Sequence, residues 1–448
     1  MAESLKRLVA GTTDLHRNHM GPSKPRRTWL LSPPCQLGIS RLFVSLELRF
    51  MSDGFIDRKL SVHVLEDILV TPLLSGSGKV SQQFSVVGGD ASSMEHRRAA
   101  RGYSITKIDV ATEELDYTVI DDDCLYAGPL FNHFGHFIAE SIPRLWAFVE
   151  NESKRLPFIA FHPFPLGRGF ANELYPWMIQ ALSLFGIDKS NIIFIDKNIK
   201  FKKLLVPEQG SVLGAGPISR RYIDCIQKIN DSTSSEKRHR ELRSGKIYIR
   251  RSKHAFSGSY LGERLIEKLL KNQAGFEIIY PEEIAISDMM NKINSASAII
   301  LSEGSAIHTL ELCDVRESSV FIICRRSRQS VEHLFVNMLS RKGCKVGISG
   351  EGSAVTPLDW EPTRNTPAWQ NASAYLDLSQ IINDINKFFG LAIETPDKEI
   401  VQESVKQSIV DIILDPRSTR KSTTDEQLGA LLRLLRTQIP TLIPGRSL

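Results

Sequence analysis

The fold is decided between Lys246 and Cys324. The stretch opens with Lys246-Ile247-Tyr248-Ile249-Arg250 and passes Gly275-Phe276-Glu277-Ile278-Ile279-Tyr280. It continues through Ser297-Ala298-Ile299-Ile300-Leu301-Ser302 to Ser319-Val320-Phe321-Ile322-Ile323-Cys324. Short apolar runs bounded by polar residues are how strands buried on both faces read. Between them, Tyr260–Lys271, Glu282–Ser295 and Ser305–Cys313 carry helical spacing. Strands alternating with longer helical patterns predict βαβ units, hence a doubly wound parallel sheet with right-handed crossovers.

Working outward, Leu60–Val64, Thr118–Ile120 and Asn191–Ile195 are predicted strands, and Asn132–Glu150 and Asn172–Phe185 predicted helices. Residues 51–207 are therefore expected to form an N-terminal α/β domain. Gly210, Gly214 and Gly216 mark a linker before a crossover helix near Arg220–Ile229 and the polar run Asp231–Arg240. A Rossmann-like domain over 208–350 follows. After the Pro/Thr/Trp-rich stretch Pro357–Trp369, Asp377–Leu391 and Asp425–Leu435 read as amphipathic helices of an extension, 351–448, that packs back on the body. Residues 1–50 show little periodicity and several prolines. They are read as a disordered basic leader, or as chain upstream of the native start, since Met51 opens the more regular segment.

Composition narrows the function classes. The chain has 448 residues, 42% hydrophobic and 24% charged, which is globular and excludes disordered or collagenous classes. Its net charge of +5 lies wholly in residues 1–50, where eight Lys/Arg face three acids, leaving 48 of each sign elsewhere. A neutral body argues against nucleic-acid binding. No uncharged apolar run approaches the roughly 18 to 20 residues of a membrane span. Six cysteines without a CxxC pair or metal-ligand spacing read as reduced thiols, and no apolar region follows Lys6-Arg7 as a signal peptide requires. A cytoplasmic protein is expected, docking at the inner membrane face if its acceptor is lipid-linked.

Three segments carry chemistry. In Asn132–Trp146, helical spacing puts Phe134, Phe137, Ile138, Ile142 and Leu145 on one apolar stripe and His136, Glu140 and Arg144 on the opposite face, four residues apart. Such a row is either a salt-bridge ladder or a carboxylate held as a general base; Pro143, which removes a helix hydrogen bond beside Glu140, favours a site. Arg250 and Arg251 stand at the carboxyl end of a strand, where open α/β sheets bind ligands and where guanidinium groups suit a diphosphate. In Leu301–Thr309, a strand runs through Glu303-Gly304-Ser305 into a helix, a turn whose free N–H groups suit an anion; Ser305 and His308 are placed to donate to it. Asp121-Asp122-Asp123 reads as a solvated turn, and no metal site is assigned.

In order and spacing these segments resemble glycosyltransferase family 61, in its bacterial, capsular-polysaccharide branch. The resemblance runs from about Tyr126 to Ile323. It rests on Asn132…His136…Glu140…Pro143-Arg144-Leu145, Ile247–Arg251, Gly262-Glu263, Gly275–Glu282 and Glu303–His308. It implies a GT-B-like fold, two Rossmann-like domains facing across a cleft, with the donor nucleotide held mostly by the C-terminal one. It also implies inverting transfer from a nucleotide sugar to a glycan hydroxyl without an essential metal or other cofactor. By position, Glu140 matches the base, oriented by His136 or Arg144, and Arg251 the residue at the donor diphosphate, with Arg250 beside it. Glu263 matches the acid of an Asn-Glu pair whose Asn is replaced by Gly262. Glu282 is placed to accept from ribose hydroxyls, and Gly304, Ser305 and His308 complete the donor set. Two further readings stay open: a non-catalytic sugar-nucleotide-binding protein, favoured if Glu140 faces the core, and a pyruvyl-transferase-like enzyme.

Overall fold

In the computed structural model the predicted alternation forms two sheets. The structure describes residues 60–73, 84, 86–88, 92–97, 115–150, 156–164, 174–214, 218–233, 243–252, 258–325, 328–350 and 374–411, with the backbone of 55–56, 353–354, 360–361, 366–367 and 412–414. These all fall in the compact unit Asp53–Leu448. The leader 1–50 and the predicted helix Asp425–Leu435 lie outside the described residues.

The first half contains β1 (Phe55–Ile56), β2 (Val62–Val70), β3 (Val86–Val87), β4 (Thr118–Ile120), β5 (Cys124–Leu130), β6 (Phe158–Pro163), β7 (Ile192–Phe194), β8 (Ile199–Pro207) and β9 (Ile218–Ser219). Strand β1 pairs with β9, and the others make a seven-stranded sheet ordered β3-β2-β8-β5-β6-β7, with β4 also on β8. The pairings β8-β5, β5-β6 and β6-β7 are parallel, while β2 runs antiparallel to β8. All seven residues of β5 are buried, as a strand covered on both faces must be.

The second half contains β10 (Gly245–Ile249), β11 (Glu277–Ile279), β12 (Ala296–Ser302), β13 (Ser319–Ile323) and β14 (Lys345–Ile348), all parallel, in the order β11-β10-β12-β13-β14. Alternate residues serve opposite faces. Ile247, Ile249, Ile299, Leu301, Val320 and Ile322 pack in one apolar core, and Tyr248, Ile300, Phe321 and Ile323 in another. The chain leaves β10 for β11 on one side and returns to β12 on the other. The gap between the ends of β10 and β12 is therefore the topological switch point, where such sheets take ligands.

The helix Leu378–Phe389 covers the Tyr248 face. Asp377 caps it by accepting from the Gln380 N–H at 3.0 Å, and Gly390 ends it in the left-handed region. Its buried Leu378, Ile381, Ile382 and Ile385 follow one helical stripe and each contributes about 1.5–3 kcal/mol on burial. Beside it runs the helix Glu263–Ala274, whose N-cap, Gly262, has φ +83°; a Cβ there would collide with Leu378. Both constraints ask for glycine.

The core on the Ile247 face does not stop at one sheet. Leu125, Ile138, Trp146, Phe161 and Met178 of the first half share it with Ile249, Ile293, Leu301 and Leu339 of the second. The segment linking these layers departs from the single helix predicted over Asn132–Glu150. One α turn, Phe134–His136, passes into a π turn, Phe137–Ser141, and the axis breaks before a short helix, Trp146–Glu150. Pro143 supplies the break, having no N–H to continue the ladder. The four-residue spacing of Glu140 and Arg144 therefore does not put them on a common face. Of four other predicted helices, three are present in shorter form, as Pro176–Ser183, Ile286–Asn294 and the 3₁₀ helix Ser305–Leu312, and one runs four residues further, as Arg220–Thr233.

Candidate active site

The carboxyl end of β5 and the carboxyl ends of β10 and β12 meet. Beyond β5, His133 and His136 begin the helical segment; beyond β12, Gly304-Ser305 opens the 3₁₀ helix. His133 Nε2 lies 3.3 Å from Ser305 Oγ. Gly135 packs so closely that a Cβ there would stand 2.8 Å from His308 Cδ2 and 3.3 Å from Ser305 Cβ.

Glu140 projects inward from the π turn, a helical irregularity frequent at functional sites. Its side chain is fully buried, and its two oxygens accept from two imidazoles: His136 Nδ1 at 2.6 Å and His96 Nε2 at 3.1 Å. The side chain of His136 is 36% exposed. A carboxylate behind an accessible imidazole fixes its tautomer and ring orientation. Nδ1–H is held by Glu140, so Nε2 is the nitrogen through which His136 would act. Glu140 faces the core, behind the partly exposed His136.

Arg144 does not join this pair. It is 2% exposed, and its guanidinium donates to the backbone carbonyls of Pro207, Glu95 (2.6 Å) and Ser93 (3.5 Å). Burial brings its pKa down to about 10, which leaves it cationic. It pins the β8 end and the 92–97 segment to the broken helix.

On the opposite wall, Arg251 donates Nε–H to the Gly258 carbonyl at 3.1 Å and packs on Gly304, where any Cβ would strike its guanidinium. Its backbone N–H donates to Glu263 Oε1 at 2.7 Å. Glu263 is buried and takes two further bonds on that oxygen, from Tyr248 OH (2.8 Å) and Ser302 Oγ (2.5 Å); burial raises its pKa. The structure thus places Glu263 beneath the Arg251 turn, as an anchor for it. Arg250 turns the other way, paired with Glu267 at 2.7 Å and lying 3.8 Å over the Tyr280 ring. Glu282 is exposed beyond the end of β11, the edge strand. His308 is buried, its Nδ1 2.5 Å from Glu311 Oε1, with its ring against Phe335. Glu303 accepts the Arg325 N–H at 3.0 Å, which tethers the turn to β13.

His136, Glu140, Arg251, Gly304, Ser305 and His308 are thus brought together, while Arg144, Arg250 and Glu282 lie apart from them. Sequence reasoning missed His96 and His133. His96 stands 44 positions from Glu140 and carries no local signal; His133, three residues before His136, was visible in the quoted motif but lay off its four-residue row. Partial burial, then His136, His308 and Arg251, bring the His133 imidazole down to about 4, so at neutral pH it is uncharged. Asp123, in the acidic run, pairs with Lys203 at 2.5 Å. Among the described residues, no group of three or more His, Cys, Asp or Glu is arranged to hold a metal ion.

Residues 134–320 match the family model of glycosyltransferase 61. The matched stretch begins in the helical turn that carries His136 and Glu140, includes the Arg251 and Gly304–His308 turns, and ends within β13. It supports family 61 and a glycosyltransferase, which fits the mixed α/β architecture. No curated protein matches the chain. Among the described residues, no helix is long and apolar enough to cross a membrane.

Proposed function

We propose that the chain is an inverting glycosyltransferase that moves a sugar from a nucleotide donor to a hydroxyl of a glycan or polysaccharide precursor, on a GT-B-like fold. Residues 51–207 would be the acceptor half and 208–350 the donor half, with 351–448 packed behind the latter. The observation that carries the reading is the position of Arg251 and the Gly304-Ser305 turn at the β10/β12 switch point, opposite the His136–Glu140 pair.

The chemistry assigns His136 as the base in place of Glu140. His136 Nε2 takes the acceptor proton as the hydroxyl oxygen attacks C1 of the sugar. Glu140, steadied by His96, holds the imidazole and stabilises the imidazolium that forms. The C1–O bond to the diphosphate breaks with its electron pair on the leaving oxygen. That charge is met by Arg251, Ser305, His308 and the N–H groups opening the 3₁₀ helix, a preorganised set of donors. No metal takes part in this scheme. Full burial of Glu140 gives specific support to a second reading, a nucleotide-sugar-binding protein without transferase activity.

The test has two parts. UDP, GDP, ADP, dTDP and CMP are screened by thermal shift, with EDTA and with Mn²⁺, on the wild type and Arg251→Ala; a ligand of the folded state raises Tm. One nucleotide should stabilise the wild type regardless of EDTA and lose its effect in the variant. Its sugar conjugates are then assayed for transfer. His136→Gln should keep binding and lose about 10²–10⁴-fold in rate. Binding without turnover in the wild type selects the second reading, and no nucleotide response refutes both.

A further inference from the structure

His133 has a place in the cleft that the scheme above leaves unused. It reaches from the end of β5 to Ser305 of the other half at 3.3 Å, and its ring centre is 5.0 Å from that of His136. His308 lies under the adjoining Gly135, and Arg251 packs on the adjoining Gly304. The carboxylates facing this group among the described residues are already engaged. Glu140 is held by His96 and His136, Glu311 by His308, Glu263 by the Arg251 N–H and Glu303 by the Arg325 N–H. What faces His133 at the mouth is therefore positive or protonatable: Arg251, His136 and His308.

We infer that His133 is a further substrate residue, an imidazole that takes up a proton when a diphosphate group enters between it, Ser305 and Arg251, and then donates Nε2–H to the departing phosphoryl oxygen. The inference rests on the nucleotide-sugar reading and deepens it. An anion at hydrogen-bond distance favours the charged imidazole, which partial burial and positive neighbours otherwise disfavour. As C1–O breaks, its electron pair stays on the phosphate oxygen, where the His133 N–H meets it. The acceptor proton goes separately to His136. The proton on His133 comes from solvent when donor binds and returns when the diphosphate leaves.

The sign is fixed by linkage. A group with a pKa of about 4 in the protein alone and a higher one beside a bound anion makes binding consume a proton between the two values. Affinity then falls as pH rises through that window, by up to about tenfold per unit. The experiment is calorimetric titration of wild type, His133→Gln and His133→Asn with the five nucleotides at pH 5.5 and 6.5, in buffers of low and high ionisation enthalpy. The nucleotide's own ionisation is common to all three proteins and cancels in the differences. The expected result is about one more proton taken up per mole by the wild type than by either variant, and an affinity loss between the two pH values about five- to tenfold steeper. Equal proton uptake with binding intact overturns the role of His133 alone. Absence of binding by the wild type overturns the nucleotide-sugar reading and this inference with it. Matching urea midpoints establish that the variants remain folded.

Discussion

Replacing Arg144 by Lys separates structure from chemistry at the broken helix. The guanidinium is buried and spreads across three backbone carbonyls, those of Pro207, Glu95 and Ser93, on segments far apart in sequence. An ammonium keeps the charge but presents its donors from one point and does not span the same fork. Two of the three bonds should be lost. Each bond to a charged donor is worth about 1.5–3 kcal/mol, and removal strands a buried carbonyl. The cost is therefore about 3–6 kcal/mol, a large part of the roughly 5–15 kcal/mol that keeps a domain folded. Urea unfolding reads this directly, as a lower midpoint in the variant with an unchanged slope. Below the transition, nucleotide affinity should match the wild type, because Arg144 touches neither wall of the cleft. A variant of wild-type stability that has lost transfer activity would refute the reasoning and return Arg144 to the chemistry.

Two further outcomes are expected. His162 is buried, donating Nε2–H to the Thr71 carbonyl at 2.9 Å while its Nδ1 faces Tyr126 OH at 3.0 Å, and burial brings its pKa down to about 4. The unfolded chain then binds the extra proton first, so stability is lost as pH falls from about 6.5 towards 4, by about 3 kcal/mol; urea midpoints at pH 7 and pH 5 should differ by less in His162→Gln, which keeps only the matching contribution of His133. Gly135→Ala should keep the fold while pushing His308 and Ser305 away from the helical segment, with transfer falling about tenfold or more; unchanged kinetics would mean the contact has no bearing on the site.

The parts of this structure legible in sequence are those whose burial leaves a period. Strands β10, β12 and β13 are predicted to within one or two residues, because both faces are apolar and sharp turns bound them. Strand β5 is equally buried yet contains Gly128-Pro129, which reads as a breaker; Gly128 has φ +91° and marks a bulge against β6. Strand β8, Ile199–Pro207, mixes three lysines into its pattern because it runs beside the acids of β2 and the β4–β5 turn: Lys202 pairs with Asp67 and Lys203 with Asp123. In the candidate site, His136 and Glu140 are visible as a pair because four residues still join them across the π turn. Arg144 follows the same arithmetic and fails it, since periodicity assumes an axis that Pro143 interrupts. Arg250 and Arg251 are indistinguishable as letters; the strand's alternation turns one to Tyr280 and Glu267 and the other to the cleft.

The cover over the Tyr248 face carries a consequence for synthesis. Ile300, Phe321 and Tyr248 are shielded by Leu378, Ile382 and Ile385, well over 50 positions downstream of the last of them. Ser408 closes over the same region by accepting the Gly262 N–H at 2.9 Å. While a ribosome is still translating residues 374–411, the nascent second half exposes one face of its sheet, an aggregation-prone state of the kind chaperones bind. The turn that seats Arg251 is thus completed by some of the later residues to emerge.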